Sequence, residues 1–318
     1  MVMLDGRIKL RHLQCFLAVA DLRSLQRAAE RLAISQPAVS KTLRELEEIL
    51  GVQLFRRGRR GAAPTADAEA FERHARASLS ALQQGIDSVA QARRRGGVVL
   101  RLGLLPSLAP CFAPPALLAF RAAMPGAMLQ VASGANARLL AELKAGALDV
   151  ALARLSDPDR MTGLSFEHLY ADSLALVVRP GHPLLAEPAP TLERVAAWPA
   201  VLAERGTTIR QSAESLLAAH GVAAPADWVE SLSVPLARSL VRASDMVWYA
   251  PLAAVEDDLA AGVLARLPVS TAGSEEPIGV ALRADSAPGP ALAALLSAFR
   301  AEAARRHAEP PGRTRTAP

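Results

Sequence analysis

The chain has 318 residues, 51% of them hydrophobic and 21% charged, with a formal net charge of +5. At about 100–200 residues per domain that length predicts two or more domains with ample core, and so large an apolar share excludes a wholly disordered chain. No apolar run of about 18 residues is free of charge and the opening MVMLDGRIKLRH has no signal-like apolar stretch, so the expectation is a cytoplasmic protein with no membrane partner. The positive charge is uneven. Residues 1–95 hold 17 Lys and Arg against 10 Asp and Glu, whereas the rest hold 19 against 21, as expected if the N-terminal third meets nucleic acid. Only Cys15 and Cys111 are present, too few for a disulfide framework or a Cys-based zinc site, and both read as reduced.

The first patterned segment is 24–51, SLQRAAERLAISQPAVSKTLRELEEILG, which predicts two short helices joined by a tight turn. Ser24 can cap a helix whose apolar positions Leu25, Ala28, Ala29 and Leu32 recur at helical spacing; after a break at Ala33 and Ile34, Ser35 can cap another. Pro37 falls in the first turn, where its missing N–H costs nothing. Val39, Leu43, Leu46 and Leu50 make one apolar stripe and leave Gln36, Ser40, Lys41 and Arg44 off the buried face. Amide, hydroxyl and basic groups hydrogen-bond base edges and phosphates, so the second helix is suited to the DNA major groove. Glu45, Glu47 and Glu48 lie further along, where phosphate repels them unless they turn away. A plain helical hairpin is the alternative.

Phe55-Arg56-Arg57-Gly58-Arg59-Arg60-Gly61 sets four arginines among glycines, which suits a wing turning over the phosphate backbone; a solvated basic loop is the alternative. The candidate DNA-contacting residues are therefore Ser24, Ser35, Gln36, Pro37, Ser40, Lys41, Arg44, Arg56, Arg57, Arg59 and Arg60. From Thr65 to about Arg94 one long helix is predicted, with Phe71, Ala75, Leu79, Leu82, Ile86 and Val89 at an approximate 3/4 spacing. Such a seam fits pairing with a second copy, the alternative being packing on its own domain. A two-fold pair of reading heads fits inverted-repeat DNA.

From residue 98 short apolar strands alternate with helices. Strands over 98–105, 128–132 and 150–155 enclose helices near 114–123 and 135–145, the order expected of a parallel sheet. A second set has strands over 173–178, 200–203 and 247–250 and helices near 209–219, 235–243 and 253–260, after which 278–282 and 290–305 return to the first. The fold class is α/β overall: an all-α reading head and linker helix, then two α/β lobes with a cleft between them. The expected divisions are 7–64 for the head, 65–95 for the linker, 96–305 for the lobes (the first about 96–170 and 269–305, the second about 171–268), and a disordered tail at 306–318. Ligands bind outside the carboxyl ends of such strands, where helix N-termini offer N–H groups to anions. That rule selects Ser107, Ser133, Asn136 and Arg154 in the first lobe and Arg205, Thr207, Thr208, Arg210 and Trp248 in the second, a set suited to a small carboxylate. Ordinary helix caps and surface charges are the alternatives.

The stretch HLQCFLAVADLRSLQRAAERLAISQPAVSKTLRELEEILGVQLFRR resembles the winged helix-turn-helix of LysR-type transcriptional regulators. Matching positions include Ala28, Ala29, Leu32, Ser35, Gln36, Pro37, Ala38, Ser40, Leu46, Leu50, Gly51, Leu54 and Phe55. The chain departs from the family's Leu-Thr-x-x-Gly after the wing, with Pro64 for the Leu and Ala68 for the Gly. The resemblance, over about residues 7–305, implies a dimerising linker helix and a two-lobed effector domain similar to periplasmic binding proteins. It also implies promoter DNA, further copies of the chain as dimer or tetramer, and RNA polymerase as partners, and an activator's role. DGRIKLRHLQCFLAVA and GLSFEHLYADSLALVVRPGHPLL resemble the group of that family that governs protocatechuate catabolism and galactose-binding-protein expression. The effector so implied is a di- or tricarboxylate of the β-ketoadipate route, such as carboxymuconate, with control by a sugar as the rival.

No catalytic site, metal or cofactor is expected. Nucleophile-elbow, zinc-protease, Walker and dinucleotide motifs are missing from the sequence, and His12, His74, His168, His182, His220 and His307 are scattered. His182-Pro183 reads as a turn and His168 as a packed strand residue. A solute-binding protein would share the two lobes without a reading head.

Overall fold

The computed structural model describes residues 6–58, 61–93 and 98–308. They form two compact units: one holds the described residues up to Arg93 together with Lys144–Ala147, and the other holds the rest. In the first unit α1 (Leu10–Leu22) starts after Lys9, and α2 (Leu25–Leu32) and α3 (Gln36–Leu50) start where the sequence offers caps. Ser24 Oγ accepts the Arg27 N–H at 3.3 Å and Ser35 Oγ the Ala38 N–H at 3.4 Å. Gly51 ends α3 at φ 70, a left-handed conformation that glycine enters without a Cβ penalty. The wing is an antiparallel pair, β1 (Phe55–Gly58) and β2 (Gly61–Pro64), with Phe55 opposite Pro64.

Pro64 closes the wing and Thr65 opens α4 (Ala66–Arg93). The Thr65 hydroxyl accepts the Ala68 N–H at 3.2 Å and donates to the Gln53 carbonyl at 2.7 Å. The departure at Pro64 and Ala68 therefore leaves the helix start intact, because the cap is Thr65 itself. Phe16, Val19, Ala28, Val39, Leu46 and Leu54 are sealed in this unit's core, and the Phe16 ring meets Phe55 and Phe71 at 5.5 and 5.1 Å between centroids. Each of these side chains larger than alanine contributes about 1.5–3 kcal/mol by leaving water. α4 sends Ala68, Phe71 and Ala75 into that core, while Leu82 and Ile86 further along are exposed.

The second unit holds two five-stranded sheets. Its chain order is β3 (Val99–Leu104), α5 (Ala113–Ala123), β4 (Met128–Ser133), α6 (Asn136–Lys144), β5 (Val150–Arg154), α7 (Pro158–Met161) and β6 (Leu164–Asp172). β7 (Leu174–Val178), α8 (Leu192–Ala196), β8 (Ala200–Leu202), α9 (Thr208–Ala219), β9 (Trp228–Glu230), α10 (Val234–Ala243), β10 (Val247–Pro251), α11 (Glu256–Ala260) and β11 (Ala265–Arg266) follow, and β12 (Glu276–Arg283) and α12 (Pro290–Ala308) return. The first sheet runs β4-β3-β5-β12-β6 and the second β11-β7-β10-β8-β9.

Neither sheet is purely parallel, as the alternation of strands and helices had suggested. β4, β3 and β5 are parallel, but β12 runs antiparallel to both β5 and β6; β10, β8 and β9 are parallel, and β7 runs antiparallel to both its neighbours, β10 and β11. The cause is the crossover: β6 carries the chain out of the first sheet and β12 carries it back alongside. β6, which the sequence marked as strand only around His168, is an edge strand that keeps polar positions outward. His168 is exposed there rather than packed, and Glu167 pairs with Arg300 of α12 at 2.6 Å, which holds the Glu167 carboxyl below the usual range. At the β12 bulge a Cβ on Gly279 would collide with the Glu167 carbonyl, so glycine is required. No helix among the described residues is long and apolar enough to cross a membrane.

Candidate functional site

On α3 the side chains of Gln36, Pro37, Lys41 and Arg44 are exposed, as is Arg56 on β1. Ser24 and Ser35 are engaged as caps. Ser40, expected in the groove, is instead buried: it sits one residue past Val39, inside the edge of an apolar stripe about 100° wide, and its small hydroxyl fits there. Arg44 folds back so that its Nε–H meets the Ser40 carbonyl at 3.4 Å. Arg57 belongs to β1; Arg59 and Arg60 lie outside the described residues. Two of the three acidic residues of α3 are bonded within the unit, and Glu48 is exposed. Glu45 accepts from Arg11 at 3.1 Å and lies 3.3 Å from His12 Nε2. His12 Nδ1 accepts the Lys9 N–H at 3.1 Å, so the ring proton sits on Nε2 and points to Glu45. His12, then Arg11, holds the Glu45 carboxyl below its usual range. Glu47 accepts the Leu54 and Phe55 N–H groups at 2.8 and 3.2 Å, tying the helix to the wing.

In the second unit the strand ends of both sheets and the starts of three helices, α6, α9 and α10, enclose a cavity of about 530 Å³, counting its opening to solvent. The first sheet contributes Ser107, Asn136 and Arg154; the second contributes Thr207, Thr208 and Trp248. Thr207 caps α9, accepting the Arg210 N–H at 3.3 Å, so the first turn of a twelve-residue helix opens on the cavity. Sequence reasoning missed Tyr249 and the stretch Ser231 to Val234. Ser233 and Pro235 repeat the cap-and-proline signature of α3 and could have marked α10 as another helix starting here.

Three of the expected ligand contacts lie outside the cavity wall, and two that line it are already bonded within the fold. Ser133 is exposed outside the cavity wall, its hydroxyl donating to the Leu104 carbonyl at 3.0 Å. Arg205 and Arg210 lie outside the wall too, both over the Trp228 ring at 6.0 and 5.8 Å. Arg210 is buried and bound to Glu214 at 2.7 Å and to the Ala203 carbonyl at 3.3 Å. Arg154 does line the cavity but is no free cation, pairing with Asp172 at 2.8 Å and Glu276 at 3.1 Å. Asn136 spends its side-chain amide on the Arg154 main chain, both bonds 3.0 Å, and so fixes β5 against α6. Burial forces such pairings, since an unpaired buried guanidinium is costly.

Both cysteines are buried and unbridged. Burial pushes the Cys111 thiol up to about 12 and raises Cys15 as well. At pH 8 about one Cys111 in ten thousand is then thiolate. Cys111 of the folded chain is expected to resist a thiol-disulfide reagent and to react within the mixing time once denatured; rapid labelling of the native chain at Cys111 would contradict this. Among the described residues no three metal-ligating side chains cluster.

Residues 10–69 match the family described as the bacterial regulatory helix-turn-helix protein, lysR family, and residues 93–304 match the LysR substrate binding domain. The chain is 42% identical to the HTH-type transcriptional regulator PcaQ of Agrobacterium fabrum over 94% of this chain and 96% of that protein. It is 43% identical to the uncharacterized HTH-type transcriptional regulator YdcI of Escherichia coli K12, over 92% and 95%. Among solved structures it is similar to CbnR, a LysR family transcriptional regulator, with a TM-score of 0.62, 25% identity, and 93% and 99% of the two chains covered. With both segments of the family matched along one chain, and with full-length relatives that are named regulators rather than enzymes, this protein belongs to the LysR family of transcriptional regulators.

Proposed function

We propose that this regulator answers to a small carboxylate bound in the cleft between its two sheets, and that the protocatechuate/β-ketoadipate route supplies it. The observation that carries the ligand class is the cavity itself, where Ser107, Thr207 and Thr208 meet the first turns of α9 and α10. The likeness to PcaQ supports the pathway. Ligand favours one arrangement of the sheets over another and so shifts the population that the dimer or tetramer presents to promoter DNA and RNA polymerase. Calorimetry on the full-length chain tests the site: Thr208→Ala removes a hydrogen bond to a charged group, about 1.5–3 kcal/mol, and is expected to weaken a bound carboxylate about 10- to 150-fold. Binding of a neutral sugar, unaffected by Thr208→Ala, would overturn both ligand class and site.

At the other end of the chain Gln36, Lys41 and Arg44 meet bases, and Arg56, Arg57, Arg59 and Arg60 meet phosphates. Gln36→Ala is then expected to change sequence preference, whereas Arg59→Ala weakens all DNA alike and flattens the salt dependence by about one phosphate contact. Equal losses on specific and random DNA for both variants would sink this division of labour.

A further inference from the structure

Arg154 is the charged residue on the cavity wall among the described residues, and it comes already committed. Its Nη2 donates to Asp172 at 2.8 Å and its Nη1 to Glu276 at 3.1 Å, with side-chain exposures of 3%, 3% and 14% for the three groups. The two carboxylates stand opposite each other where β6 and β12 pair, so the sheet fixes their positions. Each has a further partner: Asp172 accepts the Ala253 N–H at 3.1 Å, just after β10, and Glu276 accepts the Ser212 hydroxyl of α9. One guanidinium against two carboxylates leaves an excess negative charge beneath the cavity.

Three residues that line the cavity each hold a buried side-chain polar atom with no hydrogen-bond partner: Arg154 Nε, Ser107 Oγ and Tyr249 Oη. These residues are 3%, 3% and 1% exposed, a burial at which polar atoms are nearly always paired. Arg154 Nε–H is a donor only, and both hydroxyls can donate or accept. Burial keeps the Tyr249 hydroxyl protonated. The first turns of α6, α9 and α10 add partial positive charge at the cavity.

We infer that the cleft takes an oxygen-bearing ligand with a single negative charge, such as a hydroxylated monocarboxylate, and that Asp172 and Glu276 exclude di- and tricarboxylates without touching the ligand. Arg154 Nε–H, Ser107 and Tyr249 supply the polar contacts, and the two carboxylates set the charge that the site tolerates by repelling a second anionic group in a low-dielectric surrounding. This rests on the reading of the cleft as the effector site and narrows its carboxylates to those of one charge.

The test is calorimetry on the full-length chain with four probes: protocatechuate with one carboxylate, β-ketoadipate with two, carboxymuconate with three, and galactose with none. Protocatechuate is expected to bind at least ten-fold tighter than either polycarboxylate. Glu276→Gln keeps the shape and removes one charge, and is expected to narrow that gap by about ten-fold. Tyr249→Phe is expected to weaken protocatechuate while leaving the melting temperature unchanged or higher, since the hydroxyl it removes has no partner in the fold. A polycarboxylate that binds the unaltered chain more tightly overturns the charge inference and leaves the carboxylate reading standing. A gap unmoved by Glu276→Gln overturns the role of that residue. Binding of galactose alone, or of none of the four, overturns both.

Discussion

Arg154→Ala is expected to destabilise the second unit by about 3–5 kcal/mol, the loss typical when one partner of a buried ion pair is removed and the other stays behind uncompensated. Here two partners stay behind. Asp172 and Glu276 would face each other across the β6–β12 pairing with no cation between them, Asp172 being as buried as Arg154 itself. Asn136 grips only the main chain of residue 154, so its two bonds survive the substitution and do not confuse the result. Denaturant melts followed by circular dichroism give the magnitude, and adding Asp172→Asn and Glu276→Gln to Arg154→Met should restore most of it, because the triple variant leaves no unpaired charge. A loss below about 1 kcal/mol for Arg154→Ala would mean that water reaches the carboxylates and that the cluster is not structurally dry.

The second large effect is expected in α4. Ala68, Phe71 and Ala75 are spent on the core of the reading head, whereas Leu82 and Ile86, four apart and so on one face, are 46% and 55% exposed. Large apolar side chains at that spacing on an exposed helix suit the seam of a paired helix. Leu82→Asp would set two carboxylates against each other in that seam. Sedimentation should then give half the assembly mass, and affinity for a site with two half-sites should fall about 100-fold or more, the advantage lost when two tethered heads become independent. Binding to a single half-site is the internal control and should change little. An unaltered sedimentation coefficient would move the contact between copies away from α4.

What the sequence made legible was local. The helix pair could be read because Ser24, Ser35 and Pro37 act within three residues of their positions, and because the Val39–Leu43–Leu46 stripe is a property of one helix. The start of α9 was legible for the same reason, Thr207 capping it from three residues away. The arginines of the cleft were not. Arg154 meets Asp172 eighteen residues on and Glu276 122 residues on, pairings that exist only once β5, β12 and β6 lie side by side. Arg210 is satisfied largely by Glu214, one turn along, but its burial depends on β8 and β9 closing around it. β9 and β11, three and two residues long, leave too little pattern to detect, and β6 beyond His168 is masked by the polar face of an edge strand. Ser40 fell on the wrong side because a stripe drawn as a line is in fact a wide arc.

The chain crosses between the two sheets of the second unit twice: Ser173 alone connects β6 to β7, and residues 267–275, pinned beside β7 where the Thr271 hydroxyl donates to the Leu174 carbonyl and the Ser274 hydroxyl accepts the Leu174 N–H, connect β11 to β12. Mechanically this is a double tether with almost no slack. Extended backbone resists stretching, so the sheets have little freedom to slide apart, but a two-stranded ribbon is soft in torsion because few neighbours oppose its twist. Motion between the sheets is thereby steered into rotation about the ribbon. Whatever occupies the cleft can be reported to the rest of the assembly as an angle, and a small rotation at the ribbon becomes a displacement that grows with distance from it.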